Sequence, residues 1–426
     1  MSEAVQARWP GLSHTPRTPF KARVAKLIVR PAAQRVPVRL TFPNGTVWGA
    51  GGPHDPEMAI IRPQAFFARL GQDTKIGFGE AYMAGDWTTG PGTDLAHLLT
   101  PFAERLANLV PKPLQKLRGL VDDRLPHHER NSLEGSRTNI ERHYDLSNDL
   151  FAEFLDPSMT YSSAWFADDP GGGAGPRAAK GRESLQTGQE RKMDGILDQA
   201  GVREGTRMLE IGSGWGALAI RAAQRGAHVT TITISQEQAA LARRRFAEAG
   251  PDVVARIDLQ LLDYREVQGE FDAIVSVEMI EAVGEEYWPV YFSTIDQHLA
   301  PGGKVSIQAI TMADHRYRAT RNSYGWIQKY IFPGGLLPSP EAIDRTLAKH
   351  TTLTVTDRRS LGPHYARTLR MWRDRFDANW RAINAQGFDE TFRRMWEFYL
   401  AYCEAGFATG YLDVVQMQMQ RPAPAS

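Results

Sequence analysis

A single acid precedes three alternating glycines in the stretch Arg207-Met-Leu-Glu-Ile-Gly-Ser-Gly-Trp-Gly-Ala217. Glycine tolerates positive φ and lets a backbone come close to a ligand. The apolar run Met208 to Ile211 reads as a strand, and Ala217 to Gln224 as the helix that follows. A helix N-terminus presents N–H groups without intrahelical partners. These residues predict a small-molecule cradle with a polar edge. Gly212-Ser-Gly214-Trp-Gly216-Ala217 also fits the dinucleotide pattern G-x-G-x-x-G/A. That chemistry asks for an acid at the tip of the next strand, to hold a ribose. The next strand, His228 to Ile234, ends instead in Ser235-Gln236. Glu210 is surplus for a dinucleotide and suits a ligand with a cationic head.

Strands are predicted at 207–211, 228–234, 256–262, 271–277 and 303–310, with helices at 215–226, 236–249 and 286–299 between them. Pro301-Gly302-Gly303 turns into the fifth strand. Such alternation implies a parallel, doubly wound sheet, whose ligands bind beyond the C-terminal ends of its strands. That rule puts Glu210 to Gly216, Thr233 to Gln238, Asp263-Tyr264 and Glu278 to Gly284 on one rim. Upstream, Asn44-Gly45 between two apolar runs is a hairpin signal, and Pro63 to Leu70 and Asp94 to Leu109 read as helices. Residues 1–19 read as a flexible basic N-terminus, 20–110 as a small α+β domain, 111–139 as a linker and 140–426 as the catalytic domain. Gly171 to Gly175 follows no strand and reads as a surface loop, and His127-His128 as exposed linker residues rather than metal ligands.

Composition bounds the rest. The chain has 426 residues, 42% of them hydrophobic, and a net charge of +1, so no nucleic-acid signature is present. There is no apolar run of 18 residues and no secretory leader, and the lone Cys403 excludes an intramolecular disulfide or a cysteine zinc cluster. A reducing cytoplasm is the expected compartment. Charge is uneven: Arg8, Arg17, Lys21, Arg23, Lys26, Arg30, Arg35 and Arg39 face Glu3 alone in the first forty residues, and Lys112, Lys116 and Arg118 form a second cluster. These fit either a solvated tail or contact with anionic headgroups at the inner face of a membrane.

The motif E-x-G-x-G-x-G after a strand resembles motif I of class I S-adenosylmethionine (SAM) methyltransferases. The resemblance extends to the cyclopropane-fatty-acyl-phospholipid synthase and mycolic acid methyltransferase family. It is carried by His143-Tyr-Asp-Leu-Ser-Asn-Asp-Leu-Phe151, Leu155-Asp-Pro-Ser-Met-Thr-Tyr-Ser162, Leu209 to Gly216, Thr233 to Gln238, Ser276-Val-Glu-Met-Ile-Glu-Ala-Val-Gly284, Tyr330 to Ser339 and Tyr365 to Trp372. Gly77 to Gly85 looks like part of that family's N-terminal lipid-binding domain. The resemblance implies a Rossmann-like class I methyltransferase fold of α/β class, preceded by a smaller α+β domain. It implies SAM held by Tyr161, Ser162, Glu210, Gly212, Gly214, Gly216, Thr233, Gln238, Asp263 and Tyr264, with Gln238 on the ribose. It implies methylation of the double bond of an unsaturated phospholipid acyl chain, through a carbocation, by a peripheral membrane enzyme.

In that family Glu281 and Tyr365 help hold a bicarbonate ion that serves as general base, together with the positions of Ser163, Gln308 and Ile310. Here the pattern departs: Ser163 stands where relatives usually have Cys, and Gln308 where they usually have His. The altered base pocket favours a methylene or methyl branch, as in tuberculostearic-type synthesis, over a cyclopropane ring. A separate reductase would make the methyl branch, and a homodimer is compatible with the resemblance. A non-catalytic SAM- or lipid-binding protein and a small-molecule methyltransferase are the alternatives. Trp326-Ile-Gln-Lys-Tyr-Ile-Phe332 with Leu336-Leu337 speaks against the latter if it forms a membrane-interface element, and not if it is a core helix and turn.

Overall fold

The computed structural model describes Trp9, Leu12 and residues 14–109, 147–167 and 183–422. Lys112, Lys116, Arg118, His127, His128, His143 to Leu146 and Gly171 to Gly175 lie outside the described residues. The chain divides into two compact units: 1–124 with 323–331 and 377–411, and 125–322 with 332–376 and 412–426. Two late segments thus belong to the first unit, so no single cut along the sequence separates the two.

In the first unit, four short strands, β1 (Arg39–Thr41), β2 (Val47–Trp48), β3 (Glu57–Ile60) and β4 (Trp87–Thr89), form a sheet in the order β2-β1-β3-β4. The Asn-Gly signal is realised: Leu40 lies opposite Trp48 across the hairpin, and Gly45 takes φ +80°. Helices Pro63–Gln72 and Leu95–Leu109 lie where expected. Part of the basic N-terminal region is a helix, Pro19–Ala33, begun by a proline that fits the first turn. In helix Trp326–Tyr330, Trp326 is buried, and Lys329 Nζ and Tyr330 Oη both reach Glu80, at 2.6 and 2.7 Å. Lys329 is exposed and Ile327, Gln328, Leu336 and Leu337 are half-buried, so the segment is only partly a core element.

The second unit is built on a seven-stranded sheet. Its strands are β5 (Arg207–Ile211), β6 (His228–Thr233), β7 (Ile257–Leu261), β8 (Phe271–Val277), β9 (Leu299–Met312), β10 (Thr354–Ser360) and β11 (Leu412–Gln420), in the order β10-β11-β9-β8-β5-β6-β7. The five expected strands run parallel. The sheet as a whole is mixed, because β11 joins β9 and β10 joins β11 in antiparallel register. Polar residues alternate with Val and Met in Val415-Gln-Met-Gln-Met419, and the charges of β10 mask its strand character, so neither strand was expected. Successive residues of the central strands feed two separate cores. Leu209, Ile211 and Ile274 pack on one face, and Met208, Ala273 and Val275 on the other. With both faces covered, β5 and β8 are apolar along most of their length, and their ends are fixed firmly enough to aim the loops that follow.

Candidate active site

The turn after β5 opens one wall of a cleft. Gly212, Gly214 and Gly216 adopt φ +92°, +48° and +87°. A Cβ at Gly214 would meet no atom within 4 Å, so this glycine borders open space. A Cβ at Gly216 would come within 2.4 Å of the Phe246 ring, so this glycine serves helix–helix packing and does not line the cleft. Glu210 sits 3% exposed at the cleft floor, where Thr231 Oγ1 donates to its Oε2 at 2.5 Å. Burial pushes its carboxyl up to about 8, against the opposing pull of that hydrogen bond and of Lys192. Beyond β6, Ser235 caps helix Gln236–Ala249, and Thr233 Oγ1 donates to Gln238 Oε1 at 2.9 Å, which fixes the amide. Both Asp263 oxygens accept from Arg265, at 2.7 and 2.8 Å. The Tyr264 hydroxyl is buried with no hydrogen-bond partner among the described residues. Tyr161, Ser162, Glu210, Gly212, Gly214, Thr233, Gln238, Asp263 and Tyr264 all line this one cleft.

A second group of residues meets at the cleft's far side, and its centre is Glu278. This residue follows β8 with φ +51°, a backbone region that costs a non-glycine residue on the order of 1 kcal/mol or more. Its Oε1 accepts from the Ser163 backbone N–H at 3.0 Å and from Gln308 Nε2 at 2.8 Å, and its Oε2 from the Tyr365 hydroxyl at 2.9 Å. Gln308 is itself oriented by Gln416, whose Nε2 donates to Gln308 Oε1 at 3.0 Å. The sheet register dictates this, because Gln308 on β9 lies between Val277 on β8 and Gln416 on β11. Burial raises the Glu278 pKa, while its donors and Lys192 work against that rise. Glu281, one 3-10 turn further on, accepts from the Ile310 backbone N–H, and its Oε2 is buried without a partner among the described residues. Burial first, and then the like charge of Glu278, pushes the Glu281 carboxyl up to about 8.

The catalytic candidates thus meet differently from expectation. Tyr365 does not join Glu281; with Gln308 and the main chain of Ser163 it joins Glu278. The Ser163 hydroxyl turns away and donates to the Ala164 carbonyl at 3.0 Å. Ile310 contributes its main chain to Glu281. The donors that the family resemblance assigns to bicarbonate are therefore already taken by two carboxylates of the chain. A further anion would find none of these donors to spare, so bicarbonate does not fit.

Sequence reasoning missed four residues: Glu278, Gln416, Gln189 and Lys192. Gln189 Nε2 donates to the Ser162 carbonyl at 2.8 Å. Lys192 is 1% exposed, donates to Ser162 Oγ at 2.7 Å and lines the cleft. Burial pulls its ammonium down to about 8, partly offset by Glu278, Asp156 and Glu210. A signal for it existed: a lysine among Met193, Ile196 and Leu197 on the apolar face of a helix is out of pattern. For Gln416 there was none without β11.

This glycine turn, with its buried acid beneath a parallel sheet edge, defines a class I SAM-dependent methyltransferase. The sequence pattern of the mycolic acid cyclopropane synthetase family matches residues 131–417, and the chain belongs to that family. It is 49% identical over 420 residues to the tuberculostearic acid methyltransferase UfaA1 of Mycobacterium tuberculosis, covering 98% of this chain and 96% of the relative. It is 33% identical over 375 residues to the cyclopropane-fatty-acyl-phospholipid synthase of Escherichia coli K12, covering 85% and 87%. Among solved structures, the mycolic acid cyclopropane synthase CmaA1 complexed with SAH and CTAB superposes with a TM-score of 0.59 at 30% identity, over 70% of this chain and 99% of that one. The cyclopropane synthase MmaA2 of M. tuberculosis gives 0.58 at 31%, with the same coverage.

The residues present fit SAM. Glu210 is a buried carboxylate with hydrogen-bonding capacity to spare, Gly214 leaves its space open, and the Tyr264 hydroxyl lacks a partner among the described residues. When bound, SAM supplies an electrophilic methyl group. In this cleft Glu210 would counter the positive charge, Gln238 and Asp263 would hold polar groups, and Trp215, Leu218 and Ile232 would exclude water.

Proposed function

We propose that this enzyme methylates the carbon–carbon double bond of an unsaturated phospholipid acyl chain and leaves a methylene branch. The observation that carries this reading is the cluster around Glu278 and Glu281. Two carboxylates and a phenol lie beside the cofactor cleft, with the aromatic rings of Tyr161 and Trp372 close by. An alkene is a weak nucleophile, and its attack leaves a carbocation in the chain. Fixed negative groups and aromatic faces in a low-dielectric slot stabilise such a cation and its transition state. The names of the two relatives, one a tuberculostearic acid methyltransferase and one a fatty-acyl-phospholipid synthase, support the substrate class. Ring closure is the second reading, since the same cation also leads to it. A filled and oriented cluster argues against a non-catalytic role. The test is incubation with SAM and oleoyl phospholipid, followed by mass spectrometry with double-bond-specific derivatisation. A methylene-branched product supports the proposal, and high-field cyclopropane protons by NMR would replace it with the second reading. Saturation to a methyl branch then falls to a separate reductase.

The substrate's location implies docking at a membrane. Among the described residues, no helix is long and apolar enough to cross one. Helix Pro19–Ala33 instead shows Phe20, Val24, Leu27 and Ile28 exposed at helical spacing on one face, with Lys21, Arg23, Lys26 and Arg30 around them. That pattern suits a helix lying in an anionic lipid interface. Vesicles containing phosphatidylglycerol should bind the protein in a salt-sensitive way, and Leu27→Glu should weaken binding at least tenfold. Unchanged binding by Leu27→Glu would remove this helix from the docking surface.

A further inference from the structure

We propose that Glu278 is the proton acceptor of this site, a carboxylate built into the chain where a diffusible carbonate-type anion would otherwise be held. This inference rests on the function proposed above. Donors from three separate segments, the Ser163 N–H, Gln308 Nε2 and the Tyr365 hydroxyl, converge on this one side chain at 2.8 to 3.0 Å. Such a donor set works against the rise that burial imposes on the Glu278 pKa and fixes where its remaining lone pairs point. Glu278 also lines the cofactor cleft, so the acceptor and the methyl donor share one chamber. Its backbone is held at φ +51°, an uncommon conformation for glutamate that turns the side chain back from the end of β8 into the donor set. Glu281 does not duplicate it: one oxygen takes the Ile310 N–H and the other has no partner among the described residues.

The step balances within the chain and the substrate. The carbocation left in the acyl chain after methyl transfer, once a hydride has shifted from the methyl-bearing carbon to its cationic neighbour, loses a proton from the new methyl group to a Glu278 oxygen. The electrons of that C–H bond become the second bond of the methylene group. Glu278 is left as the neutral acid and returns its proton to water before the next turnover.

The experiment uses the full-length enzyme, SAM and oleoyl phospholipid vesicles, in buffer stripped of carbon dioxide and again with added bicarbonate. Wild type, Glu278→Gln and Glu278→Gly are compared, with SAM affinity measured by calorimetry. Glutamine keeps the shape without the base, and glycine accepts the positive φ while opening the donor set. Wild type is expected to turn over equally in both buffers. Both variants are expected to bind SAM within about threefold of wild type and to lose roughly 10² to 10⁴ in rate, the range of a general base. Bicarbonate or formate should restore part of the rate to Glu278→Gly alone. Dependence of wild type on bicarbonate, retention of rate by Glu278→Gln, or loss without rescue in Glu278→Gly would each overturn the inference. Failure of wild type to methylate any unsaturated lipid would instead overturn the function on which it rests.

Discussion

The two sides of the cleft each hold a buried glutamate, and they treat it in opposite ways. Glu210 receives a single hydroxyl donor, whereas Glu278 receives three donors from residues far apart in the chain. A buried carboxylate left short of hydrogen bonds is costly, and that cost is recovered when a cation arrives. A buried carboxylate saturated with donors is already in its working state and needs no rearrangement when charge appears nearby. The first arrangement suits the binding of a positively charged cofactor, and the second suits chemistry on it. Glu281, whose Oε1 takes the Ile310 N–H and whose Oε2 has no partner among the described residues, lies between the two.

The sharpest way to break this comparison is to close the cofactor side alone. Gly214→Val places a branched side chain in open space at φ +48°, a strain of about 1–2 kcal/mol that the fold should survive, and should cost at least a hundredfold in SAM affinity by calorimetry. Gly216→Val should fail for a different reason. Its Cβ would clash with Phe246 at φ +87°, which should lower unfolding stability by about 2–4 kcal/mol in denaturant titration. SAM binding by Gly214→Val at wild-type affinity would refute the cofactor assignment.

Glu210→Gln separates stability from binding. The folded-state pKa of Glu210 is pushed up to about 8 from an ordinary 4.5. Above pH 4.5 the unfolded chain ionises while the ligand-free fold keeps the proton, so stability falls as pH rises from about 4.5 to about 8. The variant should lack this slope, about 1.4 kcal/mol per pH unit, and be the more stable protein near pH 8. It should also bind SAM roughly ten- to a hundredfold more weakly there. Wild-type SAM affinity should climb towards pH 8 as Glu210 ionises. Lys192, whose own pKa is pulled down to about 8, loses its competing charge in the same range and acts in the same direction. A wild-type SAM affinity flat between pH 6 and 8 would show that Glu210 does not neutralise the cofactor.

The same contrast explains what the sequence could and could not disclose. Glu210 to Gly216 lies within one strand and one turn, so local rules for strands, glycines and helix starts suffice to place it. The Glu278 cluster draws on Ser163, Gln308, Tyr365 and Gln416, which meet only through the pairing of β8, β9 and β11. Glu281 is the acid that the family resemblance assigns, and spacing alone cannot tell which of two acids three residues apart turns towards the donors. That choice is made by the positive φ at 278, which a glutamate does not advertise. Lys192 escapes sequence reasoning for a related reason: a charge is read as solvent-facing until packing shows otherwise.

A smaller effect is expected where a donor to Glu278 is removed and the carboxylate kept. Gln308→Leu leaves Glu278 Oε1 with the Ser163 N–H and takes from Gln416 Nε2 its acceptor at 3.0 Å, leaving it the Lys192 carbonyl at 3.4 Å. Losing one hydrogen bond to a charged group costs about 1.5–3 kcal/mol. Turnover should fall roughly ten- to a hundredfold, with SAM affinity unchanged. Equal losses in turnover and in SAM binding would mean that the two sides of the cleft are not separable.

The smallest effect belongs to Ser163. Its position in the family pattern suggests that exchanging its side chain would redirect proton loss. Its geometry argues otherwise, because Glu278 is bound by the main-chain N–H of Ser163 while the hydroxyl is spent on the Ala164 carbonyl. Ser163→Ala keeps that N–H and removes a single buried hydrogen bond, a cost of about 1 kcal/mol to stability. Ser163→Cys keeps the N–H as well, and the larger sulfur must be fitted into a fully buried position. Both variants should turn over within about threefold of wild type and give the same product distribution by mass spectrometry. Any shift towards a ring product in Ser163→Cys with Gln308→His should then appear equally in Gln308→His alone. A shift produced by Ser163→Cys by itself would show that the side chain at 163 reaches the reacting carbons.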